Sequence, residues 1–267
     1  MRRALLALAL VAGLLAAAPA PALAQDSSAA AAAAHLTAPE AAAFSKIVER
    51  ALAERGARVA LVFRSGRPRD EMPDGLAYTH GAFWVHRTVA TEDGRTLSGY
   101  AVYNLYHGDG VALPKSKSHL VQDWPLDFVR GSHADDVGVI VPTPEMQRRL
   151  LAVIDSPAYG GLHNPSYSIV ANPWAGRHQN CNTFLLDVVS AAAWETADRR
   201  QIAANLRTHF RPSPVKTGVF VRVFAPLVDD RVKTDDQSGP IQTASYESLR
   251  DFMLEHKLAT QALVLRR

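Results

Sequence analysis

The stretch Arg177-His-Gln-Asn-Cys-Asn-Thr-Phe-Leu-Leu-Asp-Val-Val-Ser-Ala-Ala-Ala-Trp194 holds the only cysteine of the chain and its clearest helix start. Asn180 is an N-cap candidate, because its side-chain oxygen can accept from the free amides of a first turn. Phe184, Val188 and Ala191, flanked by Leu185, Val189 and Ala192, recur at helical spacing, which predicts a buried face. Cys181 then falls in the first helical turn, where the positive end of the helix dipole favours a thiolate. That position predicts a lowered thiol pKa and, given a base nearby, a nucleophile. The bland alternative is a small buried hydrophobe, the usual fate of a free cysteine.

Working outward, the N-terminus shows the parts of a secretory leader: Arg2 and Arg3, an apolar run from Ala4 to Leu15, and Ala22-Leu23-Ala24 before Gln25. The expectation is a signal peptide over 1–24, a flexible Ala/Ser-rich tether over 25–36, and one domain over 37–267. The protein would be secreted, and periplasmic in a host with two membranes. No later apolar run approaches the ~20 residues of a membrane span, so stable membrane insertion is not expected. Without Arg2 and Arg3, 27 basic residues stand against 26 acidic ones, a balance that gives nucleic acid no electrostatic footprint. One cysteine leaves no internal disulfide framework, and a lone thiol kept in an oxidising compartment favours use over neglect.

In chain order, Thr37-Ala-Pro39-Glu40 reads as a capping box opening a helix with the stripe Phe44, Ile47, Val48 and Leu52, ended by Gly56. Val59–Phe63 reads as a buried strand and 64–75 as a surface loop. Strands at Thr79–His86 and Gly99–Tyr106 flank the turn signal Glu92-Asp93-Gly94-Arg95. A two-residue turn there would set His80 opposite His107, whereas a bulge would bring the Asn104 face round to His80. Residues 108–136 read as a long irregular segment. A strand at Val137–Val141 and a helix opened by Thr143-Pro144-Glu145 and closed by Pro157 follow. Beyond the cysteine helix come a strand around Val219–Phe224, a polar loop at 229–239, a helix over Tyr246–Lys257 and a strand at Ala262–Leu265. The pattern is α+β: a mainly antiparallel sheet with the cysteine-bearing helix packed on it.

Among ten histidines, His80 is the best partner for Cys181, since a histidine on a rigid strand can face a helix N-terminus. His178 is too near in sequence, and His163 lies in a Gly/Pro segment. No H-x-x-x-H or C-x-x-C spacing points to a metal, no glycine-rich phosphate loop to a nucleotide, and no G-x-S-x-G to a serine hydrolase.

Tyr78-Thr-His80-Gly-Ala-Phe-Trp-Val and Asn180-Cys181-Asn-Thr-Phe-Leu resemble the histidine strand and cysteine helix of NlpC-type papain-like enzymes. The histidine precedes the cysteine, as in the circularly permuted branch that includes the lecithin:retinol acyltransferase-like proteins. Val102-Tyr-Asn104-Leu-Tyr, Asn172-Pro-Trp and Gln179-Asn-Cys181-Asn resemble an uncharacterised family of secreted bacterial proteins. The resemblance implies a permuted papain-like fold and a Cys181–His80 pair whose imidazole is oriented by Asn104, with His107 as the alternative orienter. It also implies an oxyanion hole built from the Cys181 amide and a side chain, Tyr167 first and Gln179 second. The implied activity is an exported cysteine hydrolase of amides or esters, acting without cofactor or metal on cell-wall peptide or lipid. A thiol acyltransferase, or a non-catalytic wall- or lipid-binding module on the same fold, are the alternatives.

Overall fold

The computed structural model describes residues 34–90, 93–216 and 229–267. Its first helix, α1 (Ala38–Glu54), begins at the expected capping box, where Glu40 reaches back to the Thr37 amide, and ends beside Gly56 at φ 61°. Ala41, Phe44, Val48 and Leu52 are buried along it, while Ile47 is exposed. The chain is already tied down before the helix: the amides of His35 and Leu36 donate to the Arg130 carbonyl.

Among the described residues eight strands follow in two sheets: β1 (Val59–Arg64), β2 (His80–Ala90), β3 (Thr96–His107), β4 (Ser118–Asp123), β5 (Asp136–Pro142), the short pair β6 (Ser213–Pro214) and β7 (Gln242–Thr243), and β8 (Ala259–Arg266). The main sheet has six strands in the order β4-β3-β2-β1-β5-β8, every neighbour antiparallel. The other helices are α2 (Pro125–Arg130), α3 (Pro144–Ile154), α4 (Pro157–Gly161), α5 (Cys181–Trp194), α6 (Arg199–His209) and α7 (Tyr246–Glu255). The architecture is α+β.

Strand alternation divides the core in two. Val59, Leu61 and Phe63 of β1 with Phe83 and Val85 of β2 face α3, α5, α6 and α7. Ala60, Val62, Ala82 and Trp84 face the other way, onto α1 and α2. Helices therefore cover both faces. Gly81 marks a close approach of α5: a Cβ there would lie 2.6 Å from the Phe63 ring and 2.7 Å from Leu185 Cδ1.

Several expectations need correction. The 108–136 segment is not irregular throughout, since it supplies β4 and α2. Pro157 does not merely close α3; with Ser156 as its cap it opens α4. Helix α5 is buried nearly all round, from Cys181 to Ala192 with only Asp187 partly exposed, instead of along one face. Helix α6 has no counterpart among the expected elements. The strand expected around Val219–Phe224 lies outside the described residues. The β2–β3 hairpin also rejects the two-residue turn: Ala90 pairs with Thr96 and Trp84 with Val102, so even positions meet even positions. His80 thus shares its face with Asn104 and not with His107.

Candidate active site

The β2–β3 ladder runs from Ala90↔Thr96 to Phe83↔Tyr103. Beyond it the two strands are held by their outer neighbours, Arg64↔His80 to β1 and His107↔Ser118 to β4. The sheet opens there into a seam, and the site residues gather around it.

On the α1/α2 side lies a polar chain. His80 Nε2 is 3.0 Å from Asn104 Oδ1, and Asn104 Nδ2 donates to Asp123 Oδ2 at 2.9 Å. Asn104 has no exposed surface, so its two bonds must satisfy it from within the protein. A carboxylate accepts only, which makes the atom facing Asp123 the amide nitrogen. Asn104 Oδ1 therefore faces His80 and can only accept, so Nε2 carries the proton and Nδ1 is the basic nitrogen. The ring is packed by Tyr106, stacked with centroids 4.8 Å apart, and by Phe128 at 5.6 Å. Burial, then the Arg64 charge, press its pKa down to about 3, against a smaller upward pull from the Asn104 bond. His80 is neutral at physiological pH.

Cys181 approaches the same seam from the α5 side. Asn180 caps the helix as expected, accepting from the Thr183 amide, while the Thr183 hydroxyl accepts from the Asn180 amide. The thiol is placed to donate to the Thr79 carbonyl at 3.7 Å or to Asn182 Oδ1 at 3.8 Å. Its described hydrogen bonds are thus to the residue preceding His80 and to its own neighbour, not to the imidazole. The expected lowering of the thiol pKa is also overturned. Burial pushes it above the ordinary value, although the amides of Gly81 and Asn182 and the Arg64 charge pull the other way. At rest the thiol and the imidazole are each neutral.

Tyr167 is buried in the same core cluster as Cys181, with the ring of His107 5.3 Å away. Burial, reinforced by the nearby sulfur, keeps its hydroxyl protonated. His107 turns its Nδ1 to the Gly108 carbonyl at 2.7 Å and takes no part in the His80–Asn104 bond. Gln179 is committed elsewhere: its Nε2 donates to Leu162 O and Asp187 Oδ2, and its Oε1 accepts from the Asn164 amide. That leaves the Gln179 side chain a brace of the 162–179 loop.

Asp123 and Arg64 escaped sequence reasoning as site residues. Asp123 ends a strand, Ser-His-Leu-Val-Gln-Asp, without clean alternation, so its pairing with Val102 gave no local signal. Arg64 did leave one, as a lone charge ending the apolar strand Val59–Phe63.

Two clefts of about 310 and 330 Å³ lie away from this cluster, one beside Trp174 and α6, the other between Arg55 and Pro144. The converging polar groups, not cleft size, mark the seam as the site. Among the described residues no group of three or more His, Cys, Asp or Glu could hold a metal ion, and no helix is long and apolar enough to cross a membrane. No curated protein and no solved structure matches the chain. A family model matches residues 51–253, and the chain belongs to that family, described as an uncharacterized protein conserved in bacteria (DUF2145).

Proposed function

We propose that the protein is an exported cysteine hydrolase of the permuted papain-like type, acting through Cys181, His80 and Asn104. The observation that carries the reading is the chain His80–Asn104–Asp123, which fixes one imidazole tautomer on the residue after Thr79, whose carbonyl the helix-start Cys181 contacts. In the proposed reaction the thiol swings from the Thr79 carbonyl toward His80 Nδ1, which takes its proton as the sulfur adds to an amide or ester carbonyl. Asn104 holds the imidazolium through Nε2–H, and Asp123 keeps Asn104 from flipping. The Cys181 amide and the Tyr167 hydroxyl donate to the developing oxyanion. His80 then protonates the leaving amine or alcohol, and water cleaves the acyl-enzyme. An amine or alcohol in place of water would make the same protein a transferase.

The leader-like N-terminus and the resemblance favour peptide amides of the cell wall as substrate, with lipid esters or amides second. A binding module on the same fold is the rival reading. It is favoured by the resting thiol, which is buried, protonated and bonded to backbone.

The deciding experiment digests purified cell-wall fragments with wild type, Cys181→Ala and His80→Ala and reads new amines and carboxylates by mass spectrometry. Cleavage by wild type alone is expected, with acyl adducts trapped on Cys181. Cleavage that survives either substitution, or adducts on another residue, overturns the assignment.

A further inference from the structure

Arg64 is the charged end of an otherwise apolar strand, and it is only 3% exposed. Its Nε and Nη1 are buried without a hydrogen-bond partner. A guanidinium is always charged and offers a planar fork of donors, so burying it with idle N–H groups carries a standing penalty. Its surroundings place it inside the site. Arg64 pairs with His80 across β1 and β2, and its Cζ lies 5.3 Å from the centroid of Phe128, the ring that also packs His80. Its charge is felt by both Cys181 and His80. Towards solvent, the exposed rings of His35 and His133 meet at a tilt with centroids 3.2 Å apart, and the Arg64 charge acts on His35 as well.

We infer that the seam takes an acyl substrate bearing a free carboxylate, which the Arg64 guanidinium holds through one of its unpartnered N–H groups while Cys181 attacks a carbonyl of the same molecule. A charge-assisted bond from a guanidinium to a carboxylate is among the strong ones, so this contact would both neutralise the buried charge and fix the register of the acyl chain. It rests on the thiol-hydrolase reading and narrows that reading to acidic substrates.

The test uses the anionic alkylating agents iodoacetate and iodopropionate against their neutral amides, with the full-length mature protein. Comparing acid with amide on the same protein removes the change in resting thiolate fraction that any substitution at Arg64 also causes. The acid-to-amide rate ratio at Cys181 should exceed that of a free thiol by about tenfold or more for one of the two chain lengths. Arg64→Gln should bring the ratio down to the free-thiol value, and Arg64→Lys should hold it between the two. In unaltered protein, which needs no variant to fold, succinate should slow alkylation by the amide in a saturable way, and succinamide should not. A free-thiol ratio in the wild type, or a raised ratio that survives Arg64→Gln, overturns the carboxylate subsite even if wall peptides are cleaved. A raised, Arg64-dependent ratio without any cleavage supports the subsite and tells against the hydrolase.

Discussion

Exchanging the middle of the polar chain gives a prediction whose size can be worked out. Asn104→Asp sets a second carboxylate 2.9 Å from Asp123, in a position with no exposed surface. Two charges at that separation repel by about 5–6 kcal/mol at an effective dielectric constant near 20. Taking up one proton is cheaper. Raising a carboxyl from its ordinary pKa near 3.9 to remain protonated at pH 7 costs about 4 kcal/mol. Proton uptake therefore wins, and ~4 kcal/mol is a large part of the 5–15 kcal/mol that holds a typical domain together. The sign follows from linkage. The folded pKa of the pair lies above its unfolded value, so stability is intact below about pH 4 and is lost as pH rises toward 7. Urea unfolding of Asn104→Asp at a series of pH values should show that loss. Adding Asp123→Asn should restore most of it, because the new amide at position 123 would then donate to the new carboxylate at position 104 while His80 donates from the other side. In the double variant that carboxylate beside Nε2 should raise the His80 pKa from about 3 toward or above the ordinary 6.5, which the ring proton signals report directly. If Asn104→Asp alone matched wild type at pH 7, or if the exchange left His80 unmoved, the orientation derived for Asn104 would be wrong.

Three further outcomes are expected. With the thiol raised and His80 neutral down to about 3, iodoacetamide alkylation of Cys181 should climb only toward alkaline pH; an inflection near 6.5 would show a preformed thiolate–imidazolium pair instead. Gly81→Ala should cost about 1–3 kcal/mol in urea unfolding, since its Cβ must displace the Phe63 ring or Leu185, whereas Gly160→Ala, with nothing within 4 Å, should be near neutral. Burial holds Asp187 at about 6, above its unfolded value, so its ionisation weakens the fold as pH rises through 6. Asp187→Asn should accordingly stabilise the protein at pH 8 by on the order of 2 kcal/mol and do nothing near pH 4; equal effects at both would assign Asp187 a different role.

The parts of the molecule legible in the sequence are those whose signals are local. The capping box at Thr37 and Glu40, the N-cap at Asn180 and the buried run Val59–Phe63 each specify their element within a few residues, and each forms as expected. What escaped depends on partners far along the chain. Helix α5 reads as one-sided because only its period is visible in sequence, yet α3, α6 and the sheet enclose it, and a helix covered on several sides keeps small or apolar residues nearly all round. The 108–136 segment lacks alternation because β4 is an edge strand whose six residues mix polar and apolar on both faces. At the site, residue identity points to Cys181 and His80 through the character of their elements. The third residue depends on hairpin register, which a five-residue connection sets and no local pattern encodes.

That register also explains how the thiol can reach the backbone next to His80 while the two side chains belong to different faces. A sheet normally separates what lies above it from what lies below, and here α5 brings Cys181 from one side while His80, Asn104 and Asp123 stand on the other. Only where a ladder opens can groups from both sides meet. The β2–β3 ladder stops at Phe83↔Tyr103, and Cys181 reaches the freed backbone next to His80, at the Thr79 carbonyl and the Gly81 amide. Gly81 is what lets the helix come that close, because any side chain there would hold α5 off the sheet. The protonated thiol is then a consequence of the same closeness: packing tight enough to bring sulfur to the seam also strips its water. A substrate carboxylate entering beside Arg64 would cancel some of the charge that now favours the thiolate. In the proposed hydrolase, proton transfer to His80 would therefore be driven by bond formation to the carbonyl, not by a preformed ion pair.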